Sequence, residues 1–374
     1  MRNVGEVKDC YGCGVCTIVC GKKIIDIRLN GDGFYEPYIT DENKCTDCGL
    51  CTKICAYLHD DLALNSSVKE SYAAWSKDSL VHNKCSSGGV GFEVGRLLIE
   101  NGYKVCAVRY NPEFARAEHY IATTVEELIP SIGSKYIQSY TINGFKSINR
   151  KEKYLVTGTP CQIDSFRRYI QKFKIEGNFV LMDFFCHGVP SMLLWNKYLK
   201  DIGNKTGKII NASWRNKLTG WHDSWAMTID GESASINSRL SKGDSFYYFF
   251  LTNNCLNKSC YKKCKYKYDH SSADIRIGDL WGETYKSNEE GVSAVIAFTE
   301  KGQEILHNIN CELVARPFTV VAEGQMKKTL REKWVRRWVL CGLKTNIPLS
   351  YLKVMHKLYC LFERIVNKIS RMIN

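Results

Sequence analysis

Two identical runs of four cysteines constrain this chain more than any other feature. Cys10-Tyr-Gly-Cys13-Gly-Val-Cys16-Thr-Ile-Val-Cys20 is echoed by Cys45-Thr-Asp-Cys48-Gly-Leu-Cys51-Thr-Lys-Ile-Cys55, and both read C-x2-C-x2-C-x3-C. Three thiols at this spacing let one tight loop wrap three corners of an inorganic cube, while the fourth thiol reaches elsewhere. Gly12, Gly14 and Gly49 let backbone N–H groups approach the sulfurs. A zinc ribbon needs only paired C-x2-C and would leave the third cysteine of each run unused.

The spacing is the one by which two-cluster ferredoxins hold two [4Fe–4S] cubanes, each cube taking three thiolates from one run and the fourth from the other. It assigns Cys10, Cys13, Cys16 and Cys55 to one cluster, and Cys45, Cys48, Cys51 and Cys20 to the second. The proline that commonly follows the last cysteine is replaced by Gly21 and Ala56. That change weakens the turn signal and leaves the ligand count intact.

The 374 residues include 18 cysteines, and the first ten residues are polar, unlike a secretory signal. Thiols this dense without a signal predict a reducing, cytoplasmic compartment and metal ligation. No apolar run reaches the length of a membrane span; Phe179 to Phe185 and Phe246 to Leu251 are strand-length. The net charge of +13 is uneven: residues 326–374 hold twelve Lys/Arg and two acids, a net +10. The basic excess therefore describes a tail, and argues against a nucleic-acid-binding surface.

Between the cysteine runs, Ile24 to Ile27 and Phe34 to Ile39 predict a small hairpin around Gly31-Asp-Gly33, and Asn65 to Glu70 reads as a linker. Cys85-Ser-Ser-Gly-Gly89 then feeds a helical pattern of Val90, Val94, Leu97 and Leu98. Such a loop can cradle an anion at the helix N-terminus, or serve as an ordinary Ser cap with a Gly turn. Thr124 and Glu127 suggest a capping box. Lys153 to Thr157 and Phe179 to Phe185 are predicted strands, each followed by a turn and a helix, the second opened by Cys186-His-Gly-Val-Pro190. Two such units imply parallel strands, and ligands gather at their carboxyl ends, where Cys161 and Cys186 stand. Residues 208–230 predict an antiparallel hairpin, and Val292 to Thr299 and Lys301 to Ile309 a strand and a helix.

Cys260 and Cys264 are expected to complete a third [4Fe–4S] site with Cys161 and Cys186, with Cys255 as the rival of Cys264. His187 is expected to mark a helix start. Asp274 and Asp279 either hydrogen-bond a cofactor or cap turns. The remaining thiols, Cys85, Cys106, Cys311, Cys341 and Cys360, are expected as small core residues. In the tail, Met355, Leu358, Phe362, Ile365, Ile369 and Met372 form one apolar helical face, with Lys353, Lys357, Arg364, Lys368 and Arg371 off it. Such a helix packs on the body or a partner, or lies on an anionic membrane.

Taken in order, the motifs resemble the coenzyme F420 hydrogenase/dehydrogenase β-subunit family, and most of all its bacterial branch from surface-polysaccharide loci. The resemblance rests on Cys85-Ser-Ser-Gly-Gly-Val90, Gly133-Ser-Lys-Tyr-Ile-Gln-Ser139, Thr157-Gly-Thr-Pro-Cys-Gln-Ile163, Cys186-His-Gly-Val-Pro190, Ser259-Cys260 with Cys264, and Ala273-Asp-Ile-Arg-Ile-Gly-Asp279. It implies FAD beside a cluster bound by Cys161, Cys186, Cys260 and Cys264. It implies FAD contacts from Ser86, Ser87, Gly88 and Gly89, from Ser134, Lys135 and Tyr136, and from Gly158 and Thr159. Lys135 is the expected catalytic charge beside the flavin. The family's last cysteine pair is usually C-x2-C; here it is C-x3-C.

The expected architecture is α+β or α/β: a two-[4Fe–4S] ferredoxin domain over 1–64, a mixed α/β flavin- and cluster-binding part over 71–150 and 151–320, and a basic helical tail over 321–374. The expected function is an iron–sulfur flavoprotein oxidoreductase. It joins a small-molecule hydride donor or acceptor, F420-like or from a glycan pathway, to a redox protein partner. The alternative is a non-catalytic electron-relay subunit linked to surface polysaccharide biosynthesis, and a third reading keeps the clusters as structural staples only. No GxGxxG fingerprint follows a strand, so direct use of NAD is not expected.

Overall fold

The computed structural model describes residues 2–373, without the side chains of residues 364 and 367–373. Fourteen strands are found among the described residues. β1 (Ile25–Leu29) and β2 (Tyr35–Ile39) form the hairpin between the cysteine runs, with Ile27 opposite Pro37. β3 (Glu70–Ser76), β4 (Lys104–Asn111), β5 (Arg116–Ala122), β6 (Ser139–Tyr140), β7 (Tyr154–Thr157) and β8 (Phe179–Phe184) belong to the main sheet. β9 (Ile209–Ser213), β10 (Ala226–Gly231) and β11 (Ser235–Arg239) form a separate antiparallel sheet, and β12 (Ile275–Asp279), β13 (Ser293–Ala297) and β14 (Cys311–Ala315) complete the main one. The order in the main sheet is β14-β3-β13-β12-β8-β7-β4-β5-β6.

The centre of that sheet is parallel: β4 with β7, β7 with β8, and β8 with β12. These strands are nearly unbroken apolar runs such as Tyr154-Leu-Val and Phe179-Val-Leu-Met, as a sheet covered on both faces requires. Leu155, Val180 and Met182 point to a layer that includes helix Val90–Glu100. Val156 and Leu181 point to the other layer, where they meet Ile163 and Phe166 of helix Pro160–Lys172. Val15, Val19 and Ile54 from the cysteine-rich segment join that second layer, so this segment shares a core with the sheet. A third core is aromatic, with Trp195, Trp214, Phe246 and Phe249 buried between helices Met192–Thr206 and Ser245–Leu251 and the three-stranded sheet.

Several expectations are corrected. Phe246 to Leu251 is helical, because Asp244 caps the run by accepting the Tyr247 N–H at 2.9 Å. The helix expected from Cys186 begins at Met192 with Ser191 as its cap, so His187 lies in the preceding loop. The 208–230 hairpin gains β11 as a third strand. Gly89, not a serine, is the N-cap of helix Val90–Glu100. Cys85, Cys106 and Cys311 are buried, Cys360 is half-buried, and Cys341 is exposed rather than part of a core.

In the tail, helix Leu349–Ile373 packs on the body through Leu349, Leu352 and His356. The expected apolar face stays exposed at Met355, Leu358, Phe362 and Ile365, while Ile369 and Met372 have side chains outside the described residues. Among the described residues, no helix is long and apolar enough to cross a membrane.

Candidate functional site

The first four-thiol group is built by a glycine-hinged loop and its partner run. Gly12 and Gly14 have φ of +67° and +72°, and a Cβ at Gly14 would meet the Thr141 hydroxyl oxygen at 2.1 Å. The Gly12 N–H approaches the Cys10 sulfur at 3.4 Å. Cys10, Cys13, Cys16 and Cys55 line one cavity together with Tyr11, Ile54, Tyr57 and Ser165. Burial raises the pKa of the Cys16 thiol, with further increments from Cys13, Cys55 and Cys10. Cys55 is pushed up to about 12 by burial and by Cys13, against opposing N–H groups from Tyr57 and Leu58. Thiols this close and this costly to ionise, ringed by N–H donors, suit a cationic inorganic core.

The second group lies nearer the surface. Cys51 is raised by burial and then by Cys48 and Cys20, while the Val4 and Thr52 N–H groups oppose the rise. The Asn3 amide reaches the Cys45 sulfur at 3.6 Å. Cys48 is exposed, and Gly49 turns its loop with φ of +67°.

The third group forms at the carboxyl edge of the parallel strands. Cys161 opens helix Pro160–Lys172 after β7, and Cys186 follows β8. Cys260 lies in the short helix Lys258–Lys262, and Cys264 follows its C-cap, Lys263. Burial raises Cys161, followed by opposition from Thr159 and increments from Cys186, Cys260 and Cys13. Cys260, at about 12, is raised by burial and then by Cys186 and Cys264. The extra residue between Cys260 and Cys264 is taken up by the end of the short helix. Cys255 faces elsewhere: it is buried in the aromatic core and its thiol donates to the Phe249 carbonyl at 3.4 Å.

A buried ion pair anchors the loop that carries Cys264. Arg276 of β12 donates twice to Asp183 of β8, both at 2.7 Å, and also binds the Tyr268 and His270 carbonyls. Lys267 from the same loop donates to the Cys186 carbonyl at 2.6 Å and opposes the rise in the Cys186 thiol that burial causes. Sequence reasoning missed both Arg276 and Lys267.

The first group neighbours both of the others. Cys51 lies within electrostatic reach of Cys16 and Cys55, and Cys13 within reach of Cys161. Tyr11, between Cys10 and Cys13, donates to the Lys263 carbonyl and meets Tyr266 edge-on at 5.8 Å. Among the described residues, no three Cys, His, Asp or Glu side chains converge as on a single metal ion.

The Ser86–Gly89 loop reaches the same edge of the sheet, and the structure gathers several of the expected cofactor residues beside it. Ser86 Oγ accepts the Ser134 N–H at 2.9 Å, and Arg215 joins the Ser86 carbonyl and the Tyr136 hydroxyl at 3.1 and 3.0 Å. Arg215 also pairs with both oxygens of Asp279 at 3.1 Å. Ser87 donates to the Val292 carbonyl, and the Gly88 N–H to the Ser293 hydroxyl. A Cβ at Gly88 would meet the Ala74 carbonyl at 2.2 Å, so packing alone requires glycine there. Thr159, directly after Gly158, forms a capping box with Gln162 at the start of the Cys161 helix. Asp274 pairs with Arg167 at 3.0 Å and accepts the Leu181 N–H, which is a structural role.

Lys135 donates to the carbonyls of Pro130, Ser131 and Ile132, and burial pushes its pKa down to about 7. Lys217 donates to the His82, Ser87 and Glu290 carbonyls and is pushed down to about 8 by burial. Neither amine has a carboxylate salt-bridge partner among the described residues, and burial disfavours their charged forms, so an anion bound at the loop would favour protonation of both. Tyr136 stacks on Trp225 at 4.8 Å, a flat aromatic wall next to those charges. The donor set fits a cofactor with phosphates and a planar ring.

Residues 9–58 match the family model of the 4Fe-4S dicluster domain, and residues 151–317 match that of the C terminus of the coenzyme F420 hydrogenase/dehydrogenase beta subunit. No curated protein matches the chain. Among solved structures, a chain of the F420-reducing [NiFe] hydrogenase complex from Methanosarcina barkeri, studied by xenon derivatisation, is 19% identical; the match covers 82% of this chain and 95% of that one at a TM-score of 0.46. The chain thus joins a 4Fe-4S dicluster domain to a segment that matches the C terminus of the coenzyme F420 hydrogenase/dehydrogenase beta subunit, and is related through these two regions to iron–sulfur proteins of oxidoreductase-type electron transfer.

Proposed function

We propose that this chain is an iron–sulfur flavoprotein oxidoreductase that moves electrons between an organic hydride donor or acceptor and a protein redox partner. The observation that carries the proposal is the succession of three four-thiol groups, each within electrostatic reach of the next, the last at the carboxyl edge of the parallel sheet that the Ser86 loop with its buried basic side chains also reaches. In this reading Cys10, Cys13, Cys16 and Cys55 hold the middle cluster, and Cys20, Cys45, Cys48 and Cys51 the outer one. Cys161, Cys186, Cys260 and Cys264 hold the inner cluster. The exposure of Cys48 supports entry or exit of electrons at the outer cluster through a docked protein.

FAD, when bound, would supply hydride exchange with an F420-like deazaflavin or a glycan-pathway substrate, and the clusters would carry electrons singly. The residues of this chain would hold and orient it. Ser86 to Gly89, Ser134 to Tyr136 and Gly158-Thr159 form the binding loops. Lys135, with Lys217 and Arg215 also reaching this loop region, would supply the positive charge that favours added electron density. The Tyr136–Trp225 stack would offer a flat apolar face on one side.

A second reading, a relay subunit without flavin, draws on the same loop. The Arg215 guanidinium is already paired with Asp279, and both ammonium groups already bind carbonyls. Anaerobic rapid mixing with a reduced deazaflavin separates the two. The enzyme reading expects the visible iron–sulfur absorption to bleach in wild-type protein and not in Cys161→Ser. If dithionite bleaches the clusters and no organic hydride donor does, the relay reading stands.

A further inference from the structure

Helix Leu349–Ile373 presents three separate stripes. One packs on the body through Leu349, Leu352 and His356. The second, offset by about 155° at 100° per residue, carries Val354, Met355, Leu358, Leu361, Phe362 and Ile365, all between 46 and 66% exposed. The third is basic in sequence: Lys353, Lys357, Arg364, Lys368 and Arg371 recur at steps of three, four or seven residues and so follow one line along the axis.

Exposed apolar stripes of this length are rare on a protein surface that meets only water. A helix whose apolar stripe is bordered along its length by a basic one is suited to lie in the plane of an anionic bilayer. The apolar side chains enter the acyl boundary while Lys and Arg stems reach up to the headgroups. The surroundings share this character. Trp334, 66% exposed, meets Tyr359 of the helix edge-on at 4.8 Å, and Tyr351 is 67% exposed on the apolar stripe. Lys327, Lys328, Arg331 and Lys333 are exposed just upstream of helix Val335–Leu343, which precedes helix Leu349–Ile373. Residues 326–374 carry a net +10.

We infer that this tail docks the protein on an anionic membrane surface, with the helix lying flat and its Met355–Leu358–Phe362 stripe inserted. A protein groove would use the apolar stripe but has no need of the continuous basic row, which is why the charge pattern selects the lipid surface. The contact would hold the electron-transfer body beside the bilayer. It is independent of whether FAD binds.

Full-length, cluster-loaded protein should be sedimented with vesicles of phosphatidylcholine alone, and of phosphatidylcholine with phosphatidylglycerol. The inference predicts at least about tenfold more binding to the anionic vesicles, falling as salt is raised. Leu358→Asp with Phe362→Asp should abolish it, and Lys357→Glu with Lys368→Glu should remove the preference for anionic lipid. Unchanged iron content in these variants establishes that the body is intact, since both apolar positions face solvent. Equal binding by the Leu358→Asp/Phe362→Asp variant would overturn the inference. So would an absence of vesicle binding in a protein that sediments as a dimer and becomes a monomer in that variant, which would assign the stripe to a second copy.

Discussion

The Ser165 hydroxyl lies 3.3 Å from the Cys13 sulfur and also accepts the Ala56 N–H at 3.2 Å. It therefore touches both cysteine runs, next to Cys13 in one and to Cys55 in the other. One turn earlier on the same helix stands Cys161, so a single rigid element fixes the middle thiol group against the inner one. Asp164, between them, ties down the chain beyond Cys55 by accepting the Ala63 N–H at 2.7 Å, and also binds the Tyr266 hydroxyl at 2.9 Å.

Ser165→Ala should lower the midpoint potential of the middle cluster, because a hydrogen bond to a ligating sulfur favours the more negative, reduced state. The lost bond is worth about 1 kcal/mol, or on the order of 40 mV for one electron. A redox titration followed by electron paramagnetic resonance reads it. An unchanged potential would mean that the hydroxyl only packs.

Cys264→Ser should remove about four irons per chain, while Cys255→Ser should keep them and cost only stability. Cys264 stands with Cys186 and Cys260, whereas Cys255 bonds to Phe249 in the aromatic core. Iron analysis of the two purified variants distinguishes them, and the opposite pattern would transfer the ligand role to Cys255.

Arg276→Met should be severe. It leaves Asp183 as an uncompensated buried charge, a change that costs about 3–5 kcal/mol, and it frees the Tyr268 and His270 carbonyls that hold the Cys264 loop. Arg276→Met combined with Asp183→Leu should recover much of the stability in chemical denaturation without restoring the loop. Recovery of neither would place the defect outside this pair.

Acid should weaken the fold through His119. Its Nε2 bonds the Thr157 carbonyl at 3.0 Å, its Nδ1 is buried with no partner among the described residues, and burial lowers its pKa from 6.5 to about 4. Between these values the unfolded chain binds the proton and the folded chain does not, so stability falls as pH drops through that window. From pH 7 to pH 5 this one group removes about 2 kcal/mol. His119→Phe should flatten that part of the stability–pH curve by this amount, and an unaltered slope would mean that His119 is already charged in the fold.

What the sequence made legible was local. The cysteine runs encode their own loops, and the strands β7 and β8 announce themselves as short apolar runs followed by a turn and a helix. What stayed hidden was set by distance along the chain or by a neighbouring cap. Arg215 meets Ser86 across 129 residues, and nothing near either signals the other. Ser165 and Lys267 are ordinary helix and loop residues until the sheet brings Cys13 and Cys186 to them. Phe246 to Leu251 is legible only as an apolar run of strand length, and the one local signal of its helix is the Asp244 cap. Cys260 and Cys264 break the usual spacing, and only the short helix between them shows how both reach one place.

The most direct test of the central claim is the cofactor content of protein purified without oxygen. About twelve irons and about one FAD per chain are predicted for three clusters and a flavin on this one chain. Iron near eight with no flavin would contradict it, leaving the dicluster segment as the only redox centre and the loop around Ser86 and Lys135 without a cofactor.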